Sequence, residues 1–116
     1  MYNQIEIGER IKKLKIASKI DNKIFAQYLD LNEKEINKLE RGVMNINEDI
    51  INKISNLFCC PTSYILDGID ISKNYQPFNL KHLSIEEINA LADINKIVIN
   101  QMFLDSKIYT KQKKKY

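Results

Sequence analysis

The chain has 116 residues, 44% hydrophobic and 28% charged, proportions that exclude a disordered or fibrous protein. Its formal net charge is +3, but residues 1–67 carry ten basic and ten acidic side chains, so the excess lies downstream, chiefly in Lys111–Lys115. No apolar run approaches the roughly 18 residues needed to cross a bilayer, and Met1–Glu6 lacks the basic and apolar stretches of a signal peptide, so a cytoplasmic protein without membrane contact is expected.

Ile7, Ile11, Leu14 and then Ile20 fall at helical spacing, with Arg10, Lys12 and Lys13 on the other face, and predict a first helix. Asp21 is suited to N-cap a second helix whose inward stripe is Phe25, Ala26 and Leu29. After the short Asp30–Leu31 connection, Asn32 and Glu35 have the spacing of a capping box. They open a third helix that buries Ile36 and Leu39 and stops at Gly42. Asn47 caps a fourth helix, carrying Ile50, Ile51, Ile54, Leu57 and Phe58 inward and Glu48 and Asp49 at its positive end. Pro61 ends it, and Thr62–Leu66 predicts a short fifth helix closed by Asp67–Gly68.

Residues 69–83 read as a linker, because Asp70, Ser72, Asn74, Gln76, Pro77 and Asn79 break every periodicity. His82 within it reads as a surface or cap residue. Ser84 and Glu87 form a second capping-box pattern and start a C-terminal helix to about Phe103, followed by a basic tail. The fold class is therefore all-α: a five-helix domain over residues 1–68, a linker over 69–83, and a C-terminal helix with tail over 84–116. Cys59 and Cys60 are adjacent and are the only cysteines; with His82 the only histidine, they read as core thiols rather than a disulfide or a zinc site. Neither a metal nor another cofactor is expected.

The strings Ile7-Gly8-Glu9-Arg10-Ile11-Lys12-Lys13-Leu14-Lys15, Phe25-Ala26-Gln27-Tyr28-Leu29 and Ile36-Asn37-Lys38-Leu39-Glu40-Arg41-Gly42 resemble the Cro/phage-repressor (XRE) family of helix-turn-helix regulators. The match runs without gaps from Ile7 to Gly42 and loosely on to Leu66. It implies a lambda-repressor-like head in which Ala26 lets helices 2 and 3 approach, Ile36 fills the space between them, and Lys15 pairs with Glu40. Three positions depart from the family pattern: Asn22 at the start of helix 2, Asp30 at the turn, and Asn32 at the start of helix 3. Asp30 is compatible with the left-handed conformation a turn requires.

The resemblance further implies that helix 3 enters the major groove of double-stranded DNA. The residues so placed to read bases are Asn32, Glu33, Lys34, Asn37 and Lys38. Lys34 can donate to guanine, Asn37 can pair with adenine, and Glu33 can accept from cytosine N4. Phosphate contacts are expected from Asn22, Lys23, Arg41, Asn45 and Asn47, and such contacts position a domain without specifying sequence. One head reads only a few base pairs, so a homodimer on a palindromic operator is implied. Its contact is expected on Ile88, Leu91, Ala92, Val98, Met102 and Phe103 of the C-terminal helix. The stretch Phe78–Leu83 also resembles tails of small regulators encoded in mobile elements and toxin–antitoxin cassettes.

The expected function is a transcriptional repressor. The alternative is an interaction module of the same fold, of antitoxin or anti-repressor type, whose acidic Glu33/Glu35 helix binds a protein partner such as a toxin or another regulator. No nucleophile–base pair, Gly-rich phosphate loop or ligand cluster in the sequence points to an enzyme.

Overall fold

The computed structural model describes residues 3–68 and 77–99, which are helical throughout their regular structure. Five helices build the head: α1 (Gln4–Ser18), α2 (Asn22–Leu29), α3 (Glu33–Arg41), α4 (Glu48–Phe58) and α5 (Thr62–Asp67). A sixth, α6, runs over residues 85–99.

Each long helix of the head begins where a side chain can satisfy its orphan N–H groups. Asn3 Oδ1 accepts from Ile5 N at 3.0 Å, Asp21 Oδ1 from Lys23 N at 2.8 Å, and Asn47 Oδ1 from Ile50 N at 2.8 Å. At α3 the capping box is complete: Asn32 Oδ1 accepts from Glu35 N at 2.8 Å, and Asn32 N donates to Glu35 Oε1 at 3.1 Å. Ends are equally local. Asp30, between α2 and α3, takes the left-handed conformation expected of it, with φ 58°, and Gly42 does the same after α3 at φ 74°.

The apolar stripes converge on one core. Ile7, Ile11 and Leu14 of α1, Phe25 and Ala26 of α2, Ile36 and Leu39 of α3, Ile54, Leu57 and Phe58 of α4 and Ile65 of α5 are all buried. The rings of Phe25 and Phe58 lie 6.0 Å apart at 43°, an arrangement that tilted aromatic pairs favour. Helices α1 and α3 touch through backbone: a Cβ on Gly8 would lie 2.5 Å from Glu40 O and 2.6 Å from Leu39 O. Only glycine permits that approach.

Arg10 closes the head by donating Nη1 to Ile65 O at 3.0 Å and Leu66 O at 3.2 Å, at the end of α5. Lys53 and Tyr28 join α4 to α2 reciprocally. Tyr28 Oη donates to Lys53 O at 2.7 Å, Lys53 Nζ donates to Tyr28 O at 2.9 Å, and the ammonium lies 5.4 Å from the ring centroid. Burial, and secondarily the carboxylate of Asp93 on α6, holds the Tyr28 phenol well above its ordinary pKa.

The second half of the expected linker lies on the head. Leu80 is 1% exposed, and its N–H donates to Ser18 O at 2.7 Å, so it seals the end of α1. His82 is exposed, as expected, and takes a left-handed φ of 67°. The capping box of α6 forms as its sequence predicts: Ser84 N donates to Glu87 Oε1 at 3.0 Å and Glu87 N to Ser84 Oγ at 3.1 Å.

Helix α6 then packs on its own head. Ile88 and Ala92 are buried in the same core as α1–α5, Leu91 packs against its edge, and Asn95 Nδ2 donates to Leu57 O at 3.3 Å. This corrects the expectation for Ile88 and Ala92: their surface is consumed within the chain and is not offered to a second copy. Val98 is 39% exposed, while Met102 and Phe103 lie outside the described residues. No helix of the described residues is long and apolar enough to cross a membrane.

Candidate nucleic-acid interface

Helix α3 turns Ile36 and Leu39 inward, and the helical period then dictates its outer face. Lys34, Asn37, Lys38 and Arg41 stand at i, i+3, i+4 and i+7, and all four are exposed. They form one stripe along the second helix of the α2–turn–α3 unit. Three of the five expected base readers and one expected phosphate ligand are thereby brought together.

The acidic residues of α3 are each engaged. Glu40 is buried and faces the ammonium of Lys15, 2.7 Å from Oε2 and 3.0 Å from Oε1, so α1 and α3 are joined as the resemblance implies. Its Oε2 is sealed from solvent and has the ammonium as its partner. Glu35 is held in the capping box. Glu33 Oε1 accepts from Asn22 Nδ2 at 3.3 Å. Among the described residues, no carboxylate lies within ion-pair distance of Lys34, Lys38 or Arg41. Within α3, then, Glu40 is met by Lys15 and Glu35 is spent in the cap, while Lys34, Lys38 and Arg41 are displayed outward.

The remaining expected contacts divide. Lys23 is exposed at the start of α2, next to the cap. Asn32 and Asn47 are exposed but spend their carbonyl oxygens as helix caps, which leaves their amide N–H groups to donate. Asn45 is exposed, and its Oδ1 accepts from Gln4 Nε2 at 3.4 Å. Asn22 differs from the rest. It is half-buried, accepts from Lys15 Nζ at 3.0 Å and donates to Glu33, so both ends of its amide are engaged.

The roles of Gly8 and Arg10 were among those that escaped the sequence reading. Gly8 carried a signal, since glycine inside a helix is unfavourable by roughly 0.5–1 kcal/mol and needs a compensating reason. Arg10 carried none, because its partners lie 55 and 56 residues away.

No protein-family model, curated protein or solved structure matches the chain.

Proposed function

We propose that the chain is a sequence-specific DNA-binding transcriptional regulator, a cytoplasmic repressor that binds a palindromic operator as a homodimer. The observation that carries this reading is the α3 stripe of Lys34, Asn37, Lys38 and Arg41, exposed while Glu33, Glu35 and Glu40 are engaged by neighbours. Lysine and asparagine are the donors that guanine and adenine edges accept in the major groove, and Arg41 and Lys23 supply charge for the backbone. The resemblance to the Cro/phage-repressor family supports the same reading, as does the capped, tightly turned α2–α3 pair.

The homodimer draws support from α6, where Ile94, Ile97 and Val98 are 59%, 61% and 39% exposed. Exposed isoleucines on one helix are the kind of surface a partner covers. The same apolar face is also what favours the alternative, a protein-interaction module seated on a toxin or another regulator.

A gel shift against the DNA flanking its own gene separates the two. A regulator binds one site tightly, with affinity falling steeply as salt rises, and Lys34→Ala lowers it. Weak, uniform binding to every duplex, unchanged in Lys34→Ala, would overturn the regulator reading.

A further inference from the structure

The inner face of α6 is occupied by the head through Ile88, Ala92 and Asn95, so the helix is held in place and its outer face is already formed. Ala90, Ile94 and Ile97 stand at i, i+4 and i+7 on that outer face, with Val98 beside them, and all four are exposed. The charges of the helix are unevenly spread along it. Glu86 and Asp93 are exposed carboxylates, and Lys96, the single lysine of α6, follows three residues after Asp93. Residues three apart lie on one side of a helix, so Asp93 and Lys96 share a flank of the apolar ridge. Among the described residues neither forms an ion pair.

We infer that α6 pairs with α6 of a second copy in the antiparallel sense, with the twofold axis at Ile94 and Asp93 of each copy meeting Lys96 of the other. This deepens the homodimer reading and rests on it. The position of the axis follows from symmetry. An isologous contact maps the exposed ridge onto itself, and the midpoint of residues 90–98 is residue 94. Ile94 then meets its own equivalent, and the small Ala90 comes level with the partner's Val98. At this register Asp93 is level with residue 95 of the partner, about 1.5 Å along the axis from the partner's Lys96. Symmetry makes that pair twice. A parallel pair in register sets Asp93 against Asp93, Lys96 against Lys96 and Glu86 against Glu86, like charges side by side. Charge therefore selects the antiparallel sense. Because the inner face of each α6 carries its own head, the order across the dimer is head, α6, α6, head, and the heads stay clear of the contact.

The test uses the full chain and single cysteines placed on the ridge, with copper phenanthroline as the oxidant that joins facing thiols. The unsubstituted chain, whose Cys59 is half-exposed and Cys60 buried, sets the baseline. Ala90→Cys alone and Val98→Cys alone stay at that baseline, because each lies eight residues, about 12 Å, from its own equivalent. A disulfide needs Cα atoms within about 7 Å. An equal mixture of the two variants, allowed to exchange subunits, gives a crosslinked dimer.

Sedimentation equilibrium reads the charges. Lys96→Glu raises the dimer dissociation constant about tenfold, because two symmetric attractions become two repulsions, and adding Asp93→Lys brings it back to within about threefold. Thermal melting of each variant checks that the head stays folded, which matters for Asp93 because its carboxylate acts on Tyr28. The cysteine variants change no charge and decide the orientation independently. A crosslink in either single variant, or none in the mixture, overturns the antiparallel inference while a dimer still stands. A Lys96→Glu dimer as tight as the wild type overturns it too. A chain that sediments as a monomer at every concentration overturns the homodimer reading as well, so the two failures are told apart.

Discussion

Helices α3 and α6 start with the same device and end in different chemistry. Each opens on a complete capping box, Asn32 with Glu35 and Ser84 with Glu87, and each buries an inward isoleucine completely, Ile36 and Ile88. Outward they differ. Helix α3 shows Lys34, Asn37, Lys38 and Arg41, whereas α6 shows Ile94, Ile97 and Val98. The difference separates two questions that are easily merged. Where a helix begins is decided by a few side chains at its first turn, and what it is for is decided by the face its own core leaves over.

The comparison can be broken most forcefully at the two buried isoleucines. Ile88→Ala and Ile36→Ala should each lower unfolding stability by about 3 kcal/mol, because both side chains are fully enclosed. Denaturant unfolding followed by circular dichroism checks this, and a loss at Ile88 below about 1 kcal/mol would show that α6 is not part of the common core.

Lys15→Met comes next. It strands Glu40, which is nearly shut off from water, and should cost about 2 kcal/mol, less than a fully buried pair because the lysine keeps some contact with solvent. A loss confined to about 0.5 kcal/mol would mean that the pair behaves as a surface bridge.

The two caps offer a smaller, matched contrast. Asn32→Ala and Ser84→Ala should each cost about 1 kcal/mol, and a large asymmetry between them would show that one box is redundant. The smallest effect belongs to the outer face of α6. Ile94→Ser with Ile97→Ser should change the stability of the monomer by less than about 0.5 kcal/mol while sedimentation shifts from dimer to monomer. An unchanged sedimentation coefficient would remove this face from the proposed dimer.

Much of the local structure was legible in the sequence. Asp21, Asn32 with Glu35, Asn47, Ser84 with Glu87 and Gly42 act within a few residues of themselves, so their roles follow from spacing alone. The Lys15–Glu40 pair was reached only through the family resemblance, since nothing local connects residues 25 apart. The partner of α6 was not legible. Its apolar arc includes Ile88, Leu91 and Ala92 as well as Ile94, Ile97 and Val98, and a pattern that wide marks two contacts without saying which is intramolecular. Leu80 was missed for a related reason. A single leucine among Pro77, Asn79 and His82 has no periodicity to betray it, yet it fills the end of α1. At the candidate interface, exposure of Lys34, Asn37, Lys38 and Arg41 followed from the helical period. The engagement of Asn22 with both Lys15 and Glu33 required three helices to be placed together.

Helix α1 holds the chain on both sides of residues 69–76: Arg10 grips the carbonyls of Ile65 and Leu66, and Ser18 O receives the N–H of Leu80. Those two anchors are eight residues apart on one helix, about 12 Å at 1.5 Å per residue. The span to be closed is therefore set by a rigid ruler, not by the intervening sequence.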